Sequence, residues 1–183
     1  PGLVCQEYGR RFACTSLPSW QGCSRALIQE YAQRLATLDR CGYGMYSKYH
    51  MFHIYNGHIV PIAHPDSQRL SQLYGYESER QLIIENTRSL LQGRAANNVL
   101  LYGDAGTGKS SSVKAIVNAY KENGLRLIEI KKNQLWHLPD ILEALADNPL
   151  KFILFIDDLS FSEDDENYAA LKAILEGSAS VCS

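Results

Sequence analysis

Sequence patterns typical of strands and of helices alternate between residues 98 and 156. This alternation predicts an α/β domain in which helices cover a parallel sheet. Two further observations support this fold class. A glycine-rich segment joins an apolar stretch to a helical stretch, and a later apolar run ends in two aspartates. We therefore expect a three-layer α/β/α arrangement, preceded by a small, mainly helical amino-terminal region.

The bulk composition limits the classes of protein to be considered. The chain has 183 residues, 45% of them hydrophobic, which is enough for one core and a smaller appended unit. Its formal net charge of −2 provides no overall positive field for nucleic acid or an anionic membrane. Apolar stretches are too short to span a bilayer, and the five cysteines contain no C-x-x-C pair. We expect a cytoplasmic protein without membrane contact.

Residues 1–70 are predicted to form the helical extension and a connector. Apolar residues at three- and four-residue spacing predict a helix from Ser24 to Leu38. Residues 41–66 are rich in aromatic side chains and histidines and look extended before Pro61, so we interpret them as the connector. His50 and His53 raise the hypothesis of a metal site, but no cysteine or acidic ligand completes a set, and aromatic packing explains them better.

Residues 71–183 are predicted to form the core. An amphipathic helix begins at Ser78 and runs to Leu91, and Gly93 follows it at the position of a left-handed helix end. The subsequent pattern predicts, in order, strand Asn98–Tyr102, helix Ser110–Glu122, strand Leu125–Ile130, helix Pro139–Ala146 and strand Phe152–Ile156. Gly124 is the expected cap of the helix that precedes it.

The glycine-rich segment, residues 103–110 (GDAGTGKS), matches the phosphate-binding pattern G-x-x-x-x-G-K-S between a strand and a helix. Glycines allow the backbone to turn tightly and direct N–H groups at phosphate oxygens. Lys109 is expected on the β- and γ-phosphates, the Ser110 hydroxyl on Mg²⁺, and Ser111 near the α-phosphate. The predicted nucleotide-binding positions of the loop are Gly103, Asp104, Ala105, Gly106, Thr107, Gly108, Lys109, Ser110 and Ser111.

The apolar run Phe152–Ile156 followed by Asp157 and Asp158 is typical of a strand buried on both faces that ends in carboxylates. We expect Asp157 to hold Mg²⁺ through water and Asp158 to orient or deprotonate the attacking water, with Lys109 as the second catalytic residue. The alternative is that Asp158, or both acids, form only the polar start of the next loop.

GDAGTGKS and FILFIDDLSF together resemble the AAA+ class of P-loop ATPases, with Walker A and Walker B segments. The Asp-Asp ending is similar to that of replication initiators and helicase loaders. The stretch from Leu73 to Gly177 resembles the bacterial family called domain of unknown function 815. This resemblance implies Mg²⁺-dependent ATP hydrolysis, with release of ADP, coupled to conformational change or to remodelling of a partner. It also implies a homo-oligomer and a P-loop NTPase fold.

The same resemblance implies that Tyr74, Gly75 and Tyr76 form an adenine pocket, although aromatic core packing is the alternative for the two tyrosines. It further implies that the chain stops at Ser183 before the sensor strand, the arginine finger and the helical lid, so the carboxy-terminal part of the module is absent. In AAA+ sheets the strand after Walker B lies between the Walker B strand and the P-loop strand.

Two other functions stay open at this point. The first is a nucleotide-gated loader or binding module that hydrolyses little ATP, because Asp158 stands where many ATPases have glutamate. The second, less well supported, is a small-molecule kinase, for which no acceptor pocket is identified. Lys131, Lys132 and Arg126 form a small basic group that is either a nucleic-acid contact or a solvated surface. The sequence names no protein partner.

Overall fold

The computed structural model describes residues 24–157 and Leu159. The chain divides into two compact units, Pro1–Thr37 and Leu38–Ser183. In the first unit, helix α1 (Ser24–Ala36) confirms the predicted first helix. Its apolar side chains Leu27, Ile28, Tyr31 and Leu35 are exposed, and an ion pair of 2.8 Å joins Arg34 to Glu30 one turn earlier.

The second unit contains a four-stranded sheet and four helices among the residues described. Its elements follow in the order α2 (Leu38–Cys41), β1 (Met51–Tyr55), β2 (His58–Pro61), α3 (Glu77–Leu91), α4 (Lys109–Tyr120), β3 (Leu125–Lys131), α5 (Leu138–Leu145) and β4 (Lys151–Asp157). Short 3-10 turns lie at Gly44–Ser47, Leu70–Gln72, Lys121–Asn123 and Lys132–His137. The helices and strands predicted after Gly108 are therefore confirmed to within a residue or two.

The strand order is β2-β1-β3-β4, and the sheet is mostly parallel. Strands β1, β3 and β4 run in the same direction, with Met51 opposite Leu127 and Leu127 opposite Ile153. Strand β2 pairs antiparallel with β1 and forms one edge. Because β3 is paired along both sides, it is buried at nearly every position, whereas β4 pairs with β3 alone among the residues described.

Side chains of alternate parity build a core on each face of the sheet. On one face Leu125 and Leu127 pack with Val113, Ile116 and Val117 of α4, and side chains of α3 cover this cluster. On the other face Ile128 and Ile130 pack with residues of β1 and of α5, including Phe52 and Ile141. Helices therefore cover both faces, which is the arrangement that the alternating sequence predicts.

The interpretation of residues 41–66 as a connector is wrong. They supply β1 and β2, and Met51, Phe52 and Ile54 of β1 are almost fully buried. A two-residue turn, Asn56-Gly57, joins the two strands, with φ values of 49° and 77°. Asn-Gly flanked by β-branched and aromatic residues is the strongest local signal of a hairpin, because both turn positions need positive φ. That signal was present in the sequence.

The predicted strand Asn98–Tyr102 is also wrong for the structure, in which these residues form no strand. Val99, Leu100 and Tyr102 are 50%, 74% and 89% exposed, and only Leu101 packs against the core beside α4. A strand needs a neighbour to receive its backbone hydrogen bonds, and no described strand lies beside this segment. The apolar pattern is that of a strand, but a pattern alone does not supply a neighbouring strand for backbone hydrogen bonds.

The turn between α4 and β3 depends on Gly124, which has a φ of 91° and packs against the backbone of Asp39. A Cβ at this position would overlap the Asp39 carbonyl oxygen. We expect Gly124→Ala to lower the free energy of unfolding by about 3 kcal/mol, because left-handed strain and a backbone clash add together.

Gly93→Ala is the matched control, because Gly93 has a φ of 67° but nothing within 4 Å of a built Cβ. It should cost only about 1 kcal/mol, the strain term alone. Urea unfolding measures both values. Equal losses in the two variants would contradict the close contact between Gly124 and Asp39.

Candidate functional site

The segment between residues 102 and 109 forms an open loop whose shape depends on three glycines. Gly103, Gly106 and Gly108 have φ values of 136°, 81° and 81°, a region that L-residues with side chains rarely adopt. No heavy atom lies within 4 Å of the position that a Cβ would take at Gly106 or Gly108. The loop is therefore an open turn with free space beside the backbone of Gly106 and Gly108.

The Lys109 ammonium lies against the carbonyl groups of this loop. Its Nζ donates hydrogen bonds to the carbonyl oxygens of Gly103 at 2.8 Å and Asp104 at 2.7 Å, and lies 3.3 Å from Thr107 Oγ1. Thr107 Oγ1 in turn donates to the Asp104 carbonyl at 2.9 Å. These bonds hold a positive charge inside the loop and prevent the turn from opening.

Helix α4 begins at Lys109, directly after Gly108, which caps it without a side-chain hydrogen bond. The first N–H groups of any helix have no partner within the helix, and the helix dipole adds positive potential there. The first turn of α4 contains no acidic residue that would neutralise this potential. Backbone N–H groups, the helix end and Lys109 thus all favour an anion at the same place.

The structure brings Ser110 and Asp157 together, although 46 residues separate them in the sequence. Ser110 Oγ lies 3.2 Å from Asp157 Oδ2 and 3.3 Å from Oδ1 and donates to the carboxylate. Ser110 belongs to the first turn of α4, and Asp157 is the last residue of β4. Both predicted metal ligands therefore lie at one point beside the loop, at the carboxyl edge of the sheet.

An ion pair holds α4 against the sheet one turn beyond this point. Lys114 Nζ and Glu129 Oε1 are 3.0 Å apart, with about 28% and 31% of their side chains exposed. Lys114 follows Ser110 by four residues, so both face the sheet from the same side of the helix. Sequence reasoning missed this pair, because Glu129 interrupts an otherwise apolar strand without any motif around it.

A second link fixes the segment that enters the loop. The Asn86 side chain of α3 donates to the Asn97 carbonyl and accepts from the Asn97 N–H, both at 2.8 Å. One amide side chain thus replaces the backbone partner that a strand neighbour would supply. Asn97 is thereby held against α3, a few residues before the loop begins.

Other predicted site residues are less tightly organised. Ser111 is half-buried in the first turn of α4. Tyr74 and Tyr76 are 91% and 59% exposed, and the Arg80 guanidinium donates to the carbonyls of Leu73 and Gly75. The assignment of Tyr74, Gly75 and Tyr76 to a base pocket stays a prediction. Asp158, the proposed catalytic acid, lies outside the described residues.

The basic group predicted from Lys131, Lys132 and Arg126 does not exist as one surface. Arg126 is 5% exposed and donates to the carbonyl oxygens of Tyr46, Lys121, Leu125 and Cys41. Burial lowers the pKa of its guanidinium, and nearby Glu122 opposes that shift. Arg126 is therefore a structural cation, because it ties β3 to the turns around it.

His50 and His53 do not share a helix face, since His53 lies in β1 and His50 just before it. Within residues 24–157 and 159, no group of three or more His, Cys, Asp or Glu side chains is placed to hold a metal ion. A magnesium ion that takes most of its ligands from phosphate and water needs only one or two protein oxygens. None of the helices described combines the length and apolar character that crossing a bilayer requires.

Comparison with known proteins gives one match. A family model described as "Protein of unknown function (DUF815)" matches residues 46–182, about three quarters of the chain. The match includes the hairpin β1-β2, the glycine-rich loop and the Asp157 strand. No curated protein and no solved structure matches the chain.

Proposed function

The chain belongs to the DUF815 family, and from that premise we propose that it is an ATP-binding protein of the AAA+ class that hydrolyses ATP with Mg²⁺. The observation that carries this proposal is the meeting of Ser110 and Asp157 beside the Lys109 loop. A glycine-rich turn alone would fit many anions. A hydroxyl and a carboxylate in contact beside that turn fit a phosphate group that is bound with a divalent cation.

The loop would bind the phosphates with its backbone and with Lys109. Lys109 now donates to two carbonyls and approaches Thr107 Oγ1, so these contacts must be exchanged for phosphate oxygens when a nucleotide binds. The lysine cation binds an anionic phosphate oxygen more strongly than a neutral carbonyl oxygen, which favours the exchange. The open space at Gly106 and Gly108 leaves room for the β-phosphate against the N–H groups.

Ser110 and Asp157 would hold Mg²⁺, because both offer oxygen atoms and these atoms already lie within 3.3 Å of each other. When bound, the ion neutralises charge that develops on the phosphate oxygens during transfer. Asp157 also accepts a hydrogen bond from the Ser110 hydroxyl. This bond orients the hydroxyl so that the lone pairs of Ser110 Oγ face away from the Asp157 carboxylate. Asp158 would position the attacking water and accept its proton as the bond to phosphorus forms.

Hydrolysis would be coupled to conformation through α4 and β4. The loop is continuous with α4, whose Lys114 is paired to β3 and whose apolar side chains are packed on the sheet. Loss of the γ-phosphate would remove contacts to Lys109 and Ser110 together, and the segments around the loop would relax. We propose that the change acts on a partner or on neighbouring copies of the chain in a homo-oligomer.

A nucleotide-gated binding module with little hydrolysis is the second candidate. Asp158 favours it, because the aspartate side chain is one methylene shorter than glutamate and reaches less far towards an attacking water. This protein would bind ATP with the same loop, would change conformation on binding and would release its partner only on nucleotide exchange.

Lys109→Ala should weaken ATP binding by at least about 100-fold, roughly 2.7 kcal/mol, because it removes the cation inside the loop. Isothermal titration calorimetry of the purified protein with Mg-ATP measures this change. Lys151→Ala is the control, since Lys151 begins β4, at the end of the strand away from Asp157. Unchanged ATP affinity in a folded Lys109→Ala protein would reject the phosphate-loop assignment.

Asp158→Asn separates the two candidate functions. For an ATPase we expect phosphate release to slow by about 100-fold or more, the range of a lost general base, with ATP affinity retained. Steady-state phosphate release and nucleotide titration measure the two quantities on the same preparation. A native protein that binds ATP without turnover would support the binding module instead, and turnover that survives the substitution would remove Asp158 from the mechanism.

A further inference from the structure

A basic groove lies at the edge of the sheet opposite to the phosphate loop. It consists of two adjoining cavities of about 420 and 210 Å³, and both are lined by His50 and Lys121. The larger cavity by itself has a volume within the range of small-molecule sites. Every lining residue belongs to the unit Leu38–Ser183.

The position of the groove follows from the strand directions. His50 precedes β1, and Lys121 follows α4 and precedes β3, so the groove lies at the amino-terminal edge of the parallel strands. The phosphate loop lies at the carboxyl edge, at the other end of α4. The 12 residues of this helix separate the two places by roughly 18 Å. The groove is therefore distinct from the nucleotide site.

The charge of the groove has the opposite sign to that of the chain. The chain as a whole has a net charge of −2. Cationic side chains outnumber acidic ones in the lining of the groove. The acids are Asp66 and Glu122. The Asp66 carboxylate already accepts a hydrogen bond from the Gln68 N–H. The cations are Arg40, Lys48, Arg69, Lys121 and Arg126.

Arg126 adds a buried positive charge to the groove, which salt in solution screens less than an exposed one. Its guanidinium is buried in the lining of the smaller cavity, and its hydrogen bonds go to neutral carbonyl oxygens. A buried cation is normally paired with an anion, because removing a charge from water is costly. Glu122 lies near enough to influence it but is exposed. The hydrogen bonds of Arg126 are already used within the fold, so it contributes to the groove through its charge, which adds to that of the exposed cations and favours an anion there.

The wall of the larger cavity is preorganised by Asn118. Its Nδ2 donates to the carbonyls of Asp66 and Gln68 at 2.8 and 2.9 Å, which turns its Oδ1 towards His50 Nε2 at 3.0 Å. His50 therefore donates from Nε2, and burial lowers the pKa of its imidazole. The loop that contains Arg69 is held in place before any ligand arrives, which reduces the entropy lost on binding.

We propose that this groove binds a small ligand with two or more phosphate groups, one in each cavity and with Lys121 between them. Each cavity has its own arginine at the exposed rim, Arg69 in the larger and Arg40 in the smaller. A planar guanidinium matches the oxygens of a phosphate with two parallel hydrogen bonds. The ligand spans both cavities because Lys121 lines both.

Tripolyphosphate is the probe, and the test uses protein with Lys109→Ala so that the phosphate loop contributes little. Isothermal titration calorimetry at 0.15 M salt should give one site, and adding Lys121→Glu should weaken binding by about tenfold or more because an attraction becomes a repulsion. Lys131→Glu is the matched control, since it makes the same change of charge on an exposed lysine outside the groove. It should leave the affinity within about twofold.

Three results would overturn the proposal. The first is no binding of tripolyphosphate to the folded Lys109→Ala protein. The second is equal weakening by Lys121→Glu and Lys131→Glu, which would indicate general attraction to positive charge. The third is citrate binding as tight as that of tripolyphosphate, which would reject phosphate as the ligand class. Separate Arg40→Glu and Arg69→Glu proteins, each weaker than the parent, would support one ligand that spans both cavities. None of these results depends on whether the loop binds ATP.

Discussion

The contact between the Ser110 hydroxyl and the Asp157 carboxylate is the interaction on which the functional account depends. It exists because α4 lies along one face of the sheet with its first turn beside the carboxyl end of β4. Val113, Ile116 and Val117 fix that position by packing on Leu125 and Leu127, and the Lys114–Glu129 ion pair adds a polar contact between helix and sheet. An apolar core therefore determines where two polar groups meet, and the glycine-rich loop at the start of α4 is placed by the same packing.

Much of this arrangement was predictable because local signals and tertiary packing agree there. The spacing of apolar residues gave α1, α3 and α4, and the continuous apolar run gave β4. The positive φ values of Gly103, Gly106 and Gly108 are what the motif requires, and Gly124 caps the 3-10 turn that continues from α4. From the sequence we expect both Ser110 and Asp157 to hold Mg²⁺, which requires that they lie together.

The failures have specific physical reasons. The hairpin β1-β2 differs from the predicted connector because many histidines and aromatic residues surround its Asn56-Gly57 turn. The turn itself is a strong hairpin signal, since both of its residues have positive φ. Residues 98–102 have the composition of a strand but lack a described neighbour to pair with, so composition overstated their structure. Arg126 was assigned to the surface because a lone cation in a strand carries no sequence signal of burial. The Asn86–Asn97 pair and the groove at His50 join distant residues that no local pattern connects.

The central claim is that Ser110 and Asp157 act as one magnesium-binding unit beside a nucleotide. The direct measurement is ATP affinity, with and without Mg²⁺, for the native protein, Ser110→Ala, Asp157→Asn and the double variant. We expect Mg²⁺ to tighten ATP binding in the native protein, each single change to remove most of that gain, and the double variant to lose no more than either single one. A magnesium gain that survives both single changes, or losses that simply add, would contradict the account.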